Sequence, residues 1–138
     1  GIIPIINEND TIATNEIEFG DNDTLSAHVA ELINAYLLIM LSDINGLYSA
    51  DPKTESSARI IHTVHEISPQ LEKIATNSGT SFSTGGMSTK ITAVKIGSKA
   101  NIDTVITNGS NPSVVFKIIE GDQVGTLFLA KSSKPVKK

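Results

Sequence analysis

Asn7-Glu8-Asn9-Asp10 and Gly20-Asp21-Asn22-Asp23 set carboxylates and side-chain amides into two tetrads near the start of the chain. Far downstream, Thr84-Gly85-Gly86-Met87-Ser88-Thr89-Lys90 runs from a glycine pair to a lysine. Amides both donate and accept, and carboxylates attract an ammonium group or a metal ion, so the tetrads suit a small zwitterion. Paired glycines let the backbone approach a ligand without a Cβ in the way, and a helix opening behind them offers unpaired N–H groups at its positive end. Ser88, Thr89 and Lys90 add donors and one charge, which suits phosphate. One chain carrying both implies phosphoryl transfer to a small polar acceptor.

Each group also has a plainer reading. The 84–90 spacing is neither G-x-x-x-x-G-K-[ST] nor G-x-G-x-x-G. A glycine turn before a helix with an exposed Lys90 would look the same. Asn7, Asn9, Asp10, Asp21, Asn22 and Asp23 could be solvated turn residues and helix caps. Against that, nine acids precede the first basic residue, Lys53. Clustered carboxylates repel, so a cation is expected among them: a ligand ammonium, a metal, or lysines from elsewhere. His28 falls within a helical stretch as a packed or surface group, and His62 and His65 find no third metal ligand. There is no nucleophile elbow and no cysteine.

The surrounding chain has to position these groups. Its 138 residues are the size of one domain, 39% hydrophobic and 19% charged, as expected of a soluble globular protein. No apolar run approaches the ~20 residues that cross a bilayer, and residues 1–6 lack the basic region and cleavage site of a signal peptide. Absence of cysteine excludes disulfides and fits a reducing, cytoplasmic setting. Residues 1–130 hold seven basic residues against fifteen acids, a net −8, while residues 131–138 add four lysines. Basic charge confined to a tail speaks against nucleic-acid binding. The division expected is 1–130 as one folded portion and 131–138 as a basic tail or linker.

Periodicity predicts the elements. Residues 2–6 read as a buried strand, and because almost nothing precedes it, the chain reads as part of a longer protein. Residues 12–19 suit a hairpin. Asp23 or Thr24 would cap a helix with the stripe Leu25, Val29, Leu32, Ile33 and Tyr36, followed by a buried strand at 36–41 and a long loop at 43–58. Ser68-Pro69 opens a helix through Leu71, Ile74 and Ala75, and 76–86 is a mobile loop. A helix at 87–100, a strand at 103–107, a helix from Asn111-Pro112 to Gly121 and a strand at 124–129 complete the set. Strands joined through helices imply a mainly parallel sheet, three layers α/β/α, with ligands beyond the carboxyl ends of the strands. Ser42, Asp43 and Asn108 fall at such ends.

Together, IPIINENDTIATNEIEFGDNDTLSA, LLIMLSDINGLYSADP, TGGMSTK, NIDTVITNGSNP and EGDQVGTLF resemble the amino acid kinase family, in its branch acting on free glutamate. They run in order from residue 3 to 128. The resemblance implies transfer of the ATP γ-phosphate, with Mg²⁺, to the side-chain carboxylate of L-glutamate, the first step of proline biosynthesis. It implies that Asn7, Asp10 and Asn22 line the glutamate pocket. Asp23 and Lys90 are then the catalytic pair, Asp23 organising lysines and Lys90 reaching the phosphates. Ser42, Asp43, Thr84, Gly85, Gly86, Met87, Ser88, Thr89 and Lys90 bind nucleotide. A homo-oligomer is also implied.

Three positions depart from the family pattern: Ser42 stands for a usual threonine, Ser83 for a glycine, and Tyr36 for an acidic residue. Family members also begin with a strand and a phosphate-binding lysine not found here, and often end in a PUA domain. The expectation is therefore a carboxyl-terminal portion of the kinase domain that is inactive alone. Alternatives are the kinase half of a bifunctional pyrroline-carboxylate synthase, a sister kinase acting on acetylglutamate, aspartate, carbamate or a nucleoside monophosphate, and a non-catalytic nucleotide-binding or assembly fragment.

Overall fold

A computed structural model describes residues 2–7, 22–77 and 86–131. In chain order the elements are α1 (Asn22–Leu32), β1 (Leu37–Ser42), β2 (Thr63–Val64), α2 (Pro69–Asn77), α3 (Met87–Lys99), β3 (Asp103–Asn108), α4 (Val114–Glu120) and β4 (Thr126–Phe128). The sheet order is β1-β3-β4-β2. β1 runs parallel to β3 and β2 parallel to β4, while β3 and β4 are antiparallel, so the sheet is mainly parallel as expected. The hairpin expected at 12–19 and most of the loop at 76–86 lie outside the described residues.

Three helices end in the same device. Asn34 (φ 52°), Asn101 (φ 61°) and Gly121 (φ 96°) take the left-handed conformation just past α1, α3 and α4. The next amide then reaches back five residues, Ala35 N to Ala30 O at 2.9 Å, Ile102 N to Gly97 O at 2.9 Å and Asp122 N to Lys117 O at 2.9 Å. These Schellman turns close each helix with its last carbonyls satisfied. After α1 and α3 they also throw the chain back within a few residues into β1 and β3. Each of these helices is thereby antiparallel to the strand it precedes, and its N-terminus stands beside that strand's carboxyl end. This topology gathers the site.

One face of the sheet carries the main core. Met40, Val64, Ile106 and Phe128 pack there with Ala75 of α2, Ile91, Ala93 and Val94 of α3, and Ala27 of α1. Each fully buried Ile, Leu or Val contributes about 1.5–3 kcal/mol relative to exposure. Strand alternation sends Val105 and Leu127 to the opposite face, where they share a cavity of about 380 Å³ with Ile118 of α4. Ser68 opens α2 as expected, its Oγ accepting from Leu71 N at 3.2 Å. Within the 43–58 loop, Gly46 (φ 144°) makes a turn no side chain would fit, because a Cβ there would stand 2.6 Å from Thr126 Oγ1. That hydroxyl instead accepts from Leu47 N at 2.8 Å.

Several expectations need correcting. Residues 2–7 form no strand, and Ile2, Ile3 and Ile5 are almost fully exposed. An apolar β-branched run becomes a strand only when a neighbouring ladder satisfies its backbone, and no described strand bonds to it. The α1 stripe is displaced. Leu32, Ile33 and Tyr36 are exposed, and the helix buries Ala27 and Ala30 instead. Small residues win there because α1 lies close against α3, and bulk would hold the two apart. The strand expected at 36–41 begins at Leu37 and is an edge among the described strands, with only Met40 buried. The last strand shrinks to three residues.

Candidate active site

Asp23 lies in the first turn of α1 and Lys90 in the first turn of α3. Lys90 Nζ donates to Asp23 Oδ2 at 3.0 Å, and Thr89 Oγ1 lies 2.9 Å from the same oxygen. Both charged side chains are largely enclosed, at 11% and 20% exposure. Helical spacing places Ala27 one turn beyond Asp23 and Ala93 nearly one turn beyond Lys90. Both alanines are fully buried, which lets the two helices approach closely enough for the pair to form. Enclosing an ion pair costs desolvation that well-packed apolar groups would not, so the pair is not there for stability alone.

The opening of α3 is prepared for an anion. Gly86 is its N-cap in an extended conformation, with no side chain capping the first amides. Thr89 Oγ1 also lies 2.8 Å from Gly86 O. Ser88 is exposed and Met87 packs against the core. Thr84 and Gly85 fall outside the described residues.

A second polar group crowns the carboxyl ends of β1 and β3. Ser42 Oγ donates to Asp43 Oδ1 at 3.0 Å. Asn108 Nδ2 donates to Asn45 Oδ1 at 3.1 Å and to Asp43 O at 3.4 Å. Asn108 Oδ1 accepts from Ser110 N at 2.8 Å and Ser110 Oγ at 2.6 Å. Gly109 permits the two strand ends to meet. Its amide bonds Ser42 O at 2.8 Å, and a Cβ on it would stand 2.8 Å from Leu41 Cβ. Because α1 and α3 open at this same end of the sheet, Asp23, Lys90, Ser42 and Asn108 all lie along one rim.

Asn7 and Asn22, both expected to bind the acceptor, line one groove of about 490 Å³ between α1 and the edge of β1. Asp10 lies outside the described residues. Asn45 and Ser110 did not stand out in the sequence, although Asn45-Gly46 and Asn108-Gly109-Ser110 are the turn dipeptides that could have marked both strand ends. Among the described residues no three His, Asp or Glu side chains converge into a metal cage.

Curated proteins resemble this sequence, and solved structures resemble its fold. A glutamate 5-kinase of Listeria innocua is 49% identical over 97% of the chain and half of its own length. Another from Carboxydothermus hydrogenoformans is 51% identical over the whole chain and 37% of its own length. The chain thus spans about half, or less, of these curated relatives. Among solved structures, uridylate kinase from Archaeoglobus fulgidus superposes with a TM-score of 0.56 at 28% identity, covering 77% of this chain and 45% of that one. Carbamate kinase from Giardia lamblia bound to AMP-PNP gives 0.58 at 23% identity over 78% of this chain and 31% of that one, a likeness of fold. The profile described as the amino acid kinase family matches residues 1–108. With that match over most of its length and the sheet and helices of such kinases, the chain belongs to the amino acid kinase family.

Proposed function

We propose that the protein carrying this chain transfers the γ-phosphate of ATP to the side-chain carboxylate of L-glutamate, the step that opens proline biosynthesis, as a cytoplasmic homo-oligomer. Residues 1–130 form the carboxyl-terminal, nucleotide-binding portion of its kinase domain and 131–138 a basic tail. The observation that carries this reading is the Lys90–Asp23–Thr89 cluster at the joined openings of α1 and α3. Relatives near 50% identity named glutamate 5-kinase support the choice of acceptor.

The chemistry asks little of a base. A glutamate carboxylate is ionised at neutral pH, so its oxygen attacks the γ-phosphorus directly as the bond to the β,γ-bridging oxygen breaks and ADP departs. What the protein must supply is placement and positive charge. Lys90, held by Asp23, is aimed rather than free to swing, and the open amides of α3 face the same phosphates. Asp23 acts through Lys90 as a positioning residue. Asn7, Asp10 and Asn22 hold the amino-acid end. Ser42, Asp43 and the Asn108 network receive the nucleotide.

Mg²⁺ fits as an ion carried by the phosphates, since Mg²⁺ keeps waters and is commonly bound through one or two carboxylates plus substrate oxygens. When bound it neutralises charge developing on the phosphoryl oxygens.

Acyl phosphates react with hydroxylamine, which gives a direct test. The protein carrying this chain is incubated with MgATP, hydroxylamine and one acceptor at a time. Hydroxamate from glutamate is the expected result. Hydroxamate from acetylglutamate or aspartate, with none from glutamate, would overturn the acceptor.

A further inference from the structure

A hollow of about 210 Å³ opens at the far end of α3 from Lys90. Its floor is apolar, made by the partly exposed Ile67 and Leu129 with the buried Val64 and Phe128, and its rim carries Lys95, Lys99 and Lys131. Three of the eleven basic residues in a chain of net charge −4 therefore gather around one small opening. Lys90 and Lys99 are nine residues apart, roughly 14 Å along the helix axis, so the hollow is separate from the site above.

The charges that face it do not cancel. Glu66 lines the hollow from the end of β2, beside His65. Glu72 of α2 holds Lys95 at 2.8 Å. Lys99 and Lys131 have no ion-pair partner among the described residues. Helix-end electrostatics accounts for Lys99 in the last turn of α3, where unpaired carbonyls attract cations. It does not account for Lys131, which arrives from beyond β4 rather than from the helix.

We infer that this hollow binds a small organic anion, a carboxylate carried on a compact apolar body. Inorganic phosphate would meet the lysines and leave the partly exposed Ile67 and Leu129 uncovered. An uncharged apolar molecule would leave Lys99 and Lys131 unanswered. The volume is below the ~300–1,000 Å³ of drug-sized sites, which limits the occupant to about ten non-hydrogen atoms. Lys99 and Lys131 bind the carboxylate, Ser98 adds a hydroxyl donor, and the body covers Ile67 and Leu129.

Benzoate has the right chemistry to serve as the probe. Titrating sodium benzoate into the ¹⁵N-labelled chain, followed by amide shifts, should give saturable movement at His65, Glu66, Ser98, Lys99 and Lys131, with a Kd on the order of 1 mM for so few atoms. A parallel titration uses sodium phosphate at matched ionic strength. The double variant Lys99→Gln/Lys131→Gln, changed only at exposed side chains, should raise the benzoate Kd about tenfold. Lys117→Gln on α4 should leave it unchanged. Absence of saturation, a Kd indifferent to the double variant, or phosphate binding as tightly as benzoate would each overturn the assignment.

Discussion

Asp23 Oδ2 is shared by Lys90 Nζ and Thr89 Oγ1, so one oxygen sets the aim of the amine proposed to reach the phosphates. Asp23→Asn keeps the shape and removes the charge. It should destabilise the fold by about 2 kcal/mol, the scale of a charge-assisted hydrogen bond in a partly enclosed place, as a lower denaturant midpoint would show. Thr104 offers the opposite case. Its hydroxyl is buried between β3 and α3 with no hydrogen-bond partner among the described residues, 3.0 Å from where a Cβ on Gly97 would stand. Thr104→Val keeps the volume and removes the orphan oxygen, so it should raise stability by about 1 kcal/mol, read as a higher melting temperature. A fall of similar size would mean that the hydroxyl has a partner, such as water.

At the level of elements, the legible and illegible parts separate by what determines each. Pro69 and Gly121 are local signals that bound α2 and α4 where expected, whereas Asn111-Pro112 forms a turn and α4 opens two residues later, at Val114 behind Ser113. The 87–100 periodicity likewise matches α3, because that helix buries Ile91 and Val94 against the sheet. The face of α1 could not be read, because its apolar stripe and its Ala27–Ala30 face compete. Only the tertiary neighbour α3 decides between them. Residues 2–6 failed for the same reason: composition names a strand, but a strand exists only beside another. The candidate site followed the same division. Lys90 and the tetrad were visible as residue types, whereas the bond between Asp23 and Lys90 depends on two helices opening at one end of the sheet. Gly125 was not singled out at all, although its φ of 68° and the carbonyl of Ile106 against it leave no room for a side chain. Gly125→Ala should cost about 3 kcal/mol or more, through both strain and collision, measurable by urea unfolding.

At the scale of the whole molecule, the described residues leave an apolar groove beside one edge of the sheet. Leu25, Val29, Ile33, Leu37 and Ile39 line the groove between α1 and β1, and no described strand bonds to the outer edge of β1. An apolar face beside an unpaired strand edge invites association. The isolated chain should therefore self-associate in a concentration-dependent way by sedimentation velocity. Ile33→Lys, at a position 67% exposed, should shift it toward monomer without lowering its melting temperature. Unchanged association in that variant would place the contact elsewhere.

The proposed reaction rests on the paired helix openings receiving the phosphates of ATP. Calorimetric titration of MgATP into the chain, repeated with Lys90→Ala, measures this directly. Saturable one-to-one binding, weakened at least about tenfold by the substitution, is the predicted result. Equal affinity in both proteins would contradict it, because the nucleotide would then be bound without the lysine that Asp23 holds in place.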